Sequence, residues 1–170
     1  MNGLLLCAGA IRHANALEIV RHPWFISAFF AFFGAQVLKF LIARIRQGTW
    51  NGHELVSSGG MPSSHAALVS ALSLAVGLTQ GFDAPISMIA VGFGIVVLLD
   101  AATLRRESGE HAKLLNRLIV KLNEKLDAED RIAAERLRER IGHKRREVFA
   151  GVVFGLVTAL VVCYFWDFWK

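Results

Sequence analysis

The chain has 170 residues, enough for one domain; 54% are hydrophobic, and 19 Lys+Arg stand against 14 Asp+Glu. This apolar content argues against a soluble nucleic-acid binder, and the basic excess fits a membrane surface better. The two cysteines, Cys7 and Cys163, sit in apolar surroundings without metal-ligand spacing, which argues against a disulfide or a zinc site.

In chain order, the first apolar stretch, 3–11, has no basic segment before it, so a cleaved signal peptide is not expected. A helix crossing the hydrocarbon core needs roughly 20 mainly apolar residues. Four stretches meet that length closely: 24–45, 62–79, 85–102 and 148–166. The second is the least apolar, because it holds Ser63, Ser64, His65, Ser70 and Ser73. Trp24, Trp50, Trp166 and Trp169 fall at or just beyond span ends, where amphipathic rings favour the interface. Gly151 and Gly155, four apart, suit a close helix contact in the last span. The fold expected is an all-α integral membrane bundle forming a single domain.

The segment 104–147 carries 13 of the Lys+Arg residues, whereas 80–84 carries none. The positive-inside tendency therefore places the segments after the first and third spans on the cytoplasmic face, with both termini opposite. Arg12 and Arg21 weigh against this orientation. Within 104–147, Leu115, Leu118, Ile119, Leu122 and Leu126 recur at helical spacing. A polar break at 127–130 follows, and then Ile132, Ala133, Leu137 and Ile141. The pattern predicts a cytoplasmic hairpin of two amphipathic helices, lying in the membrane plane, capping the bundle, or forming a contact in a homo-oligomer.

Ionisable groups at membrane depth cost about 2.5–3.5 kcal/mol each on insertion scales, so each raises a functional question. Gln36 and Lys39 lie late in the first span, His65 early in the second and Asp100 late in the third. His143 and Glu147 precede the fourth. The topology brings all of them to one membrane face. Taken singly, Lys39 could snorkel, Asp100 could pair with Arg105 or Arg106, and His65 could be a packing residue.

Together these residues suit phosphate chemistry. Pro62 fits the first helical position, and Met61 before it is a poor cap, so the next N–H groups would lack a side-chain partner. Gly59 and Gly60 let the backbone approach a ligand, and Ser63 and Ser64 add hydroxyls to a helix N-terminus that favours anions. Lys39 and Arg46 add positive charge. His143 and Glu147, at i and i+4, share a helix face, where the carboxylate can orient the imidazole as a nucleophile. Two histidines then read as phosphoryl transfer: one attacks and one protonates the leaving oxygen.

The strings "AQVLK" (35–39), "GGMPSSH" (59–65), "LLDAATLRRESGEHAKLLN" (98–116) and "IGHKRREVFAG" (141–151) resemble a divergent membrane-bound family. That family is related to type 2 phosphatidic acid phosphatases and vanadium-dependent haloperoxidases. The resemblance implies that Lys39 and Arg46 bind phosphate, with Gln47 in place of a proline after Arg46. It also implies that Ser63 is a phosphate ligand and His65 the general acid, with Ser64 in place of a glycine. His143 is implied as nucleophile and Glu147, standing for an aspartate, as its orienting partner. Leu137 occupies the place of the third motif's arginine, for which Arg136, Arg138, Arg105 and Arg106 are the alternatives; Thr103 stands where a glycine is expected.

The activity expected is a metal- and cofactor-independent phosphatase in a bacterial inner membrane or an organelle membrane. It would hydrolyse a lipid phosphate or a prenyl pyrophosphate through a phosphohistidine. A non-catalytic binder of phosphate or anionic headgroups, acting as a membrane partner or scaffold, is the alternative. A transporter is disfavoured, since the far ends of the spans are apolar.

Overall fold

The computed structural model describes residues 16–47, 60–127, 130–132, 136–137, 139, 142 and 144–168. The helices are α1 (Ala16–Arg21), α2 (Pro23–Gln47), α3 (Ser64–Gln80), α4 (Pro85–Leu99), α5 (Arg105–Asn123) and α6 (Arg145–Phe168). A π-helical turn, Asp100–Leu104, joins α4 to α5. No strand occurs among the described residues. Pro23 and Pro85 open α2 and α4, where a missing N–H is harmless and a fixed φ suits the helix.

Three helical runs, Pro23–Ile45, Pro85–Asn123 and Arg145–Asp167, are long and apolar enough to cross a membrane. They expose large apolar side chains, among them Phe29 and Phe33 on α2, Ile89 and Phe93 on α4, and Phe149 and Leu160 on α6. In water such surfaces would aggregate; in a bilayer they face the solvent they match. With 17 residues, α3 is shorter than these three, about 25 Å at 1.5 Å per residue.

α3 nonetheless lies at the centre, packed against α2, α4 and α6. Its small residues explain why. Ala67, Ala71 and Ala75 join Ala31 and Ala35 of α2 and Ala159 and Cys163 of α6 in one core, sealed by Trp24, Leu74 and Phe154. A Cβ added at Gly151 would collide with the carbonyl oxygen of Ser63, and one at Gly155 with that of Ala67. The two glycines therefore bring α6 against the backbone of α3, the contact that dispersion and helix-to-helix approach favour in lipid. Ser73 Oγ donates within reach of two carbonyls, Val69 at 2.8 Å and Ala90 at 3.0 Å, which links α3 to α4. Trp24 Nε1 donates to Thr79 Oγ1 at 2.6 Å and ties the start of α2 to the end of α3.

These contacts set the directions. α3 and α6 begin at the same end of the bundle, where α2 and α4 finish. Ala66, Ala101 and Val148 form a second buried cluster there, with Leu98, Ala102 and Val152 against it.

Two expectations from the sequence are corrected. Pro62 is not the first helical residue: α3 begins at Ser64, Ser63 is its N-cap, and the Met61–Pro62 peptide is cis. The second amphipathic helix of the 104–147 segment is also not observed. Its first helix is α5, but Arg131, Ile132, Arg136, Leu137 and Glu139 are non-helical, and the intervening 133–135 lie outside the described residues. The returning chain is held by two asparagines of α5. Asn123 donates to the Ile132 carbonyl (3.1 Å) and accepts from its N–H (2.8 Å). Asn116 does the same for Leu137, at 3.0 and 3.1 Å. Side-chain amides that satisfy both backbone groups of a residue offer the chain an alternative to helix.

Candidate functional site

The site end of the bundle is built around Lys39, which is only 4% exposed. A lysine so deeply placed buries its stem as well as its charge. Its stem runs along Gly60: a Cβ there would lie 2.9 Å from Lys39 Cδ and 3.1 Å from Cγ. Gly60 also has φ +103°, a conformation open to glycine and strained for other residues. The glycine thus serves the close passage of backbone over Lys39.

From Gly60 the chain enters α3 through buried Pro62 and Ser63. Ser63 Oγ accepts from the Ala66 N–H at 3.4 Å, the usual N-cap arrangement. This corrects the expected uncapped start, since one of the first N–H groups has a side-chain partner. The Ser63 N–H donates to the Glu147 carbonyl at 3.0 Å, which fastens the start of α3 to the first turn of α6. Ser64 is buried at the first helical position, and the first N–H groups of a helix have no intrahelical acceptor.

The His65 ring is exposed and stands edge-on to Phe32, with centroids 5.9 Å apart and planes at 86°. Phe32, Gln36 and Lys39 follow i, i+4, i+7 spacing and share one face of α2. That spacing could have identified Phe32, which the sequence reading missed. The side-chain oxygen of Gln36 is buried with no hydrogen-bond partner among the described residues. A buried acceptor in that state calls for a ligand, a water or a strain explanation.

Glu147 is the third residue of α6, and its Oε2 accepts from the Lys144 N–H at 3.0 Å. A carboxylate reaching back to the N-cap N–H is half of a capping box, so here Glu147 closes the helix end. Its expected partner His143 lies outside the described residues, as do the side chains of Arg46 and Arg105. Asp100 opens the π-turn, a rare geometry that is frequent at functional sites. The next residue, Ala101, packs on Ala66 and Val148 and so holds the turn at this end of the bundle. Arg106 is exposed on α5.

The structure therefore brings Lys39, Gly60, Ser63, Ser64, the Glu147 backbone and the Asp100 turn to one end, with His65 at its margin. Beside it, a cleft of about 230 Å³ runs between α3, α4 and α6. Its lining includes Val69, Val91, Gly94, Leu98 and Leu156. Leu98 belongs both to this cleft and to the packing around Ala66 and Val148. Three or more metal-ligating side chains do not cluster among the described residues.

A family model described as the Divergent PAP2 family matches residues 20–158, a range that includes every residue of the candidate site. The chain is also 33% identical over 156 residues to "Uncharacterized membrane protein YuiD" of Bacillus subtilis (strain 168). That alignment covers 88% of this chain and 99% of the relative. No solved structure matches the chain.

Proposed function

From a chain that belongs to the Divergent PAP2 family, we propose a membrane-embedded phosphatase-like protein that hydrolyses a lipid phosphate or pyrophosphate at the Lys39–Ser63 end of the bundle. The observation that carries this reading is the buried Lys39, whose stem passes Gly60 on the chain that leads into α3. A cation, helix N–H groups and the Ser64 hydroxyl together favour a phosphate dianion. The cleft beside them suits the hydrocarbon chain of the same molecule. The basic segment that follows α4 supports a cytoplasmic placement of this end.

In the proposed reaction, a neutral His143 nitrogen attacks phosphorus and the bond to the leaving oxygen breaks. His65 protonates that oxygen, giving the alcohol or the shorter phosphate and a phosphohistidine. His65, now neutral, takes a proton from water as the water oxygen displaces His143. Inorganic phosphate leaves, and the imidazole is free again. Lys39, with Arg46 and Arg105 or Arg106, would hold the phosphoryl oxygens.

A second reading, a binder of phosphate or anionic headgroups without turnover, is favoured by one observation. The Glu147 carboxylate is engaged with the Lys144 N–H instead of being free to orient an imidazole. Purified full-length protein, offered phosphorylated lipids and prenyl pyrophosphates, separates the two readings. For the phosphatase, His143→Ala and His65→Ala should each lower turnover by about 10²–10⁴-fold, the usual contribution of such groups, with the helical content unchanged. Wild-type rates in either variant would sink the mechanism. Saturable binding without release of phosphate by the wild type would establish the binder.

A further inference from the structure

We infer that α5 is an interfacial helix, lying along the membrane surface with its leucines in the acyl boundary and its basic residues on anionic headgroups. The inference does not depend on catalysis.

The first observation is an uncovered stripe. Leu115, Leu118 and Leu122 are 47%, 46% and 48% exposed, and Leu104 in the π-turn is 61% exposed. The spacing of 3 and 4 residues aligns them on one side of the helix. The main contacts of α5 are with the π-turn and not with α2, α3 or α6. The chain returning along α5 does not cover the stripe. It is strapped at Asn116 and Asn123, and those positions fall on the flank of the helix about a quarter turn or more from the leucines.

The second observation is charge. Arg106, Lys113 and Arg117 lie on the side away from the stripe, and Lys121 lies on its flank. The full sequence of α5, RRESGEHAKLLNRLIVKLN, carries five Lys+Arg and two glutamates. One glutamate, Glu110, is engaged by Lys113 at 2.9 Å, and this ion pair holds its carboxyl below the usual range. A basic polar side opposite a leucine stripe matches an anionic bilayer surface. A second copy of the same helix, laid stripe to stripe, would cover the leucines but offer the basic side no anionic partner.

The third observation is position. Within the run Pro85–Asn123, which is long and apolar enough to cross a membrane, α4 and the five-residue π-turn come first and α5 follows directly. The stripe therefore starts at the bilayer edge, and π-bulges are among the places where helices bend sharply.

Spin labels on the full-length protein, reconstituted in phosphatidylcholine vesicles with and without phosphatidylglycerol, test this placement. In a background of Cys7→Ser and Cys163→Ala, a label at Leu118→Cys should be accessible to oxygen and shielded from a water-soluble nickel complex. A label at Arg117→Cys should show the reverse. Phosphatidylglycerol should increase the contrast several-fold, and Lys113→Gln, Arg117→Gln and Lys121→Gln together should remove that increase. Nickel access at Leu118→Cys equal to that at Arg117→Cys would overturn the inference. So would dipolar broadening between labels at Leu118→Cys, which would show a helix pair between two copies. If the cysteine background does not fold, the wild-type chain can be photolabelled from a photoactivatable phosphatidylglycerol headgroup and from its acyl chain. Acyl-chain adducts within residues 114–122 are expected, and their absence there alongside adducts on α4 would also overturn it.

Discussion

α3 and α5 occupy opposite places, one at the centre and one outside, and hydropathy alone does not explain the centre, since α4 is more apolar than α3. α3 holds serines at Ser64, Ser70 and Ser73 and is shorter than α2 and α6, yet it is surrounded on three sides. α5 carries a broad leucine stripe and stays outside the bundle, with those leucines exposed. In lipid, greasiness does not select the centre, because the surrounding tails are equally apolar. Close approach selects it. Ala67, Ala71 and Ala75 let α2 and α6 come near, and the small side chains leave backbone and hydroxyls to be satisfied inside protein. α5 has long leucines and charges, which suit a boundary between two solvents.

The sharpest break of this contrast is a bulky residue at the closest crossing. Gly155→Val should push α6 off the Ala67 carbonyl, and because backbone cannot rotate away the cost should reach about 3 kcal/mol, the upper range for overpacking. Thermal unfolding in detergent would read it. A melting temperature equal to wild type would mean that α3 and α6 do not pack on their backbones. The corresponding change on α5, Leu118→Val, should leave the same transition unmoved.

A smaller effect is expected at the strap. Asn116→Ala removes two hydrogen bonds to Leu137, each worth about 1 kcal/mol net. Hydrogen exchange of the peptide around Leu137 should quicken roughly tenfold or more, a local opening that leaves α3 protected. Unchanged exchange there would show that the returning chain is held by something else.

The smallest effect is a pH dependence of the same strap. The Asn116 amide donates to Glu139 Oε1 at 2.9 Å, and this bond, then Arg136, holds the Glu139 carboxyl below its ordinary value. A carboxyl whose folded pKa is lowered stabilises the folded form above its unfolded pKa, and that contribution fades as pH falls through the folded value. The protection of Leu137, measured against the intrinsic exchange rate at each pH, should therefore fall on acidification below the ordinary carboxylate range, and Glu139→Gln should flatten that dependence. A Glu139→Gln protein that keeps the full acid response would assign it to another group.

Much of the site was legible because it rests on short-range pattern. The glycines at 59–60, the serines at 63–64 and Lys39 announced a polar helix start inside an apolar chain. Which residue would cap that start was not legible, since Pro62 at the first position and Ser63 as cap are both sound local choices. The decision came from the Ser63 N–H meeting the Glu147 carbonyl, a contact between residues 84 positions apart. The role of Glu147 was hidden for a related reason. The i, i+4 spacing from His143 and the N3 position of a capping box coincide, and only the place where α6 begins separates them. In the 104–147 segment, periodicity found α5 and then extended the same period to a chain that two asparagine side chains hold out of helix.

The sequence by itself determined the membrane character and the helical class, because span length and apolar content follow from local composition. Only the tertiary structure decided which helix sits at the centre and which stays out. It also decided which serine caps and what Gly60, Gly151 and Gly155 are for. Those outcomes depend on how closely two backbones can approach, and that distance belongs to a pair of helices and not to either sequence alone.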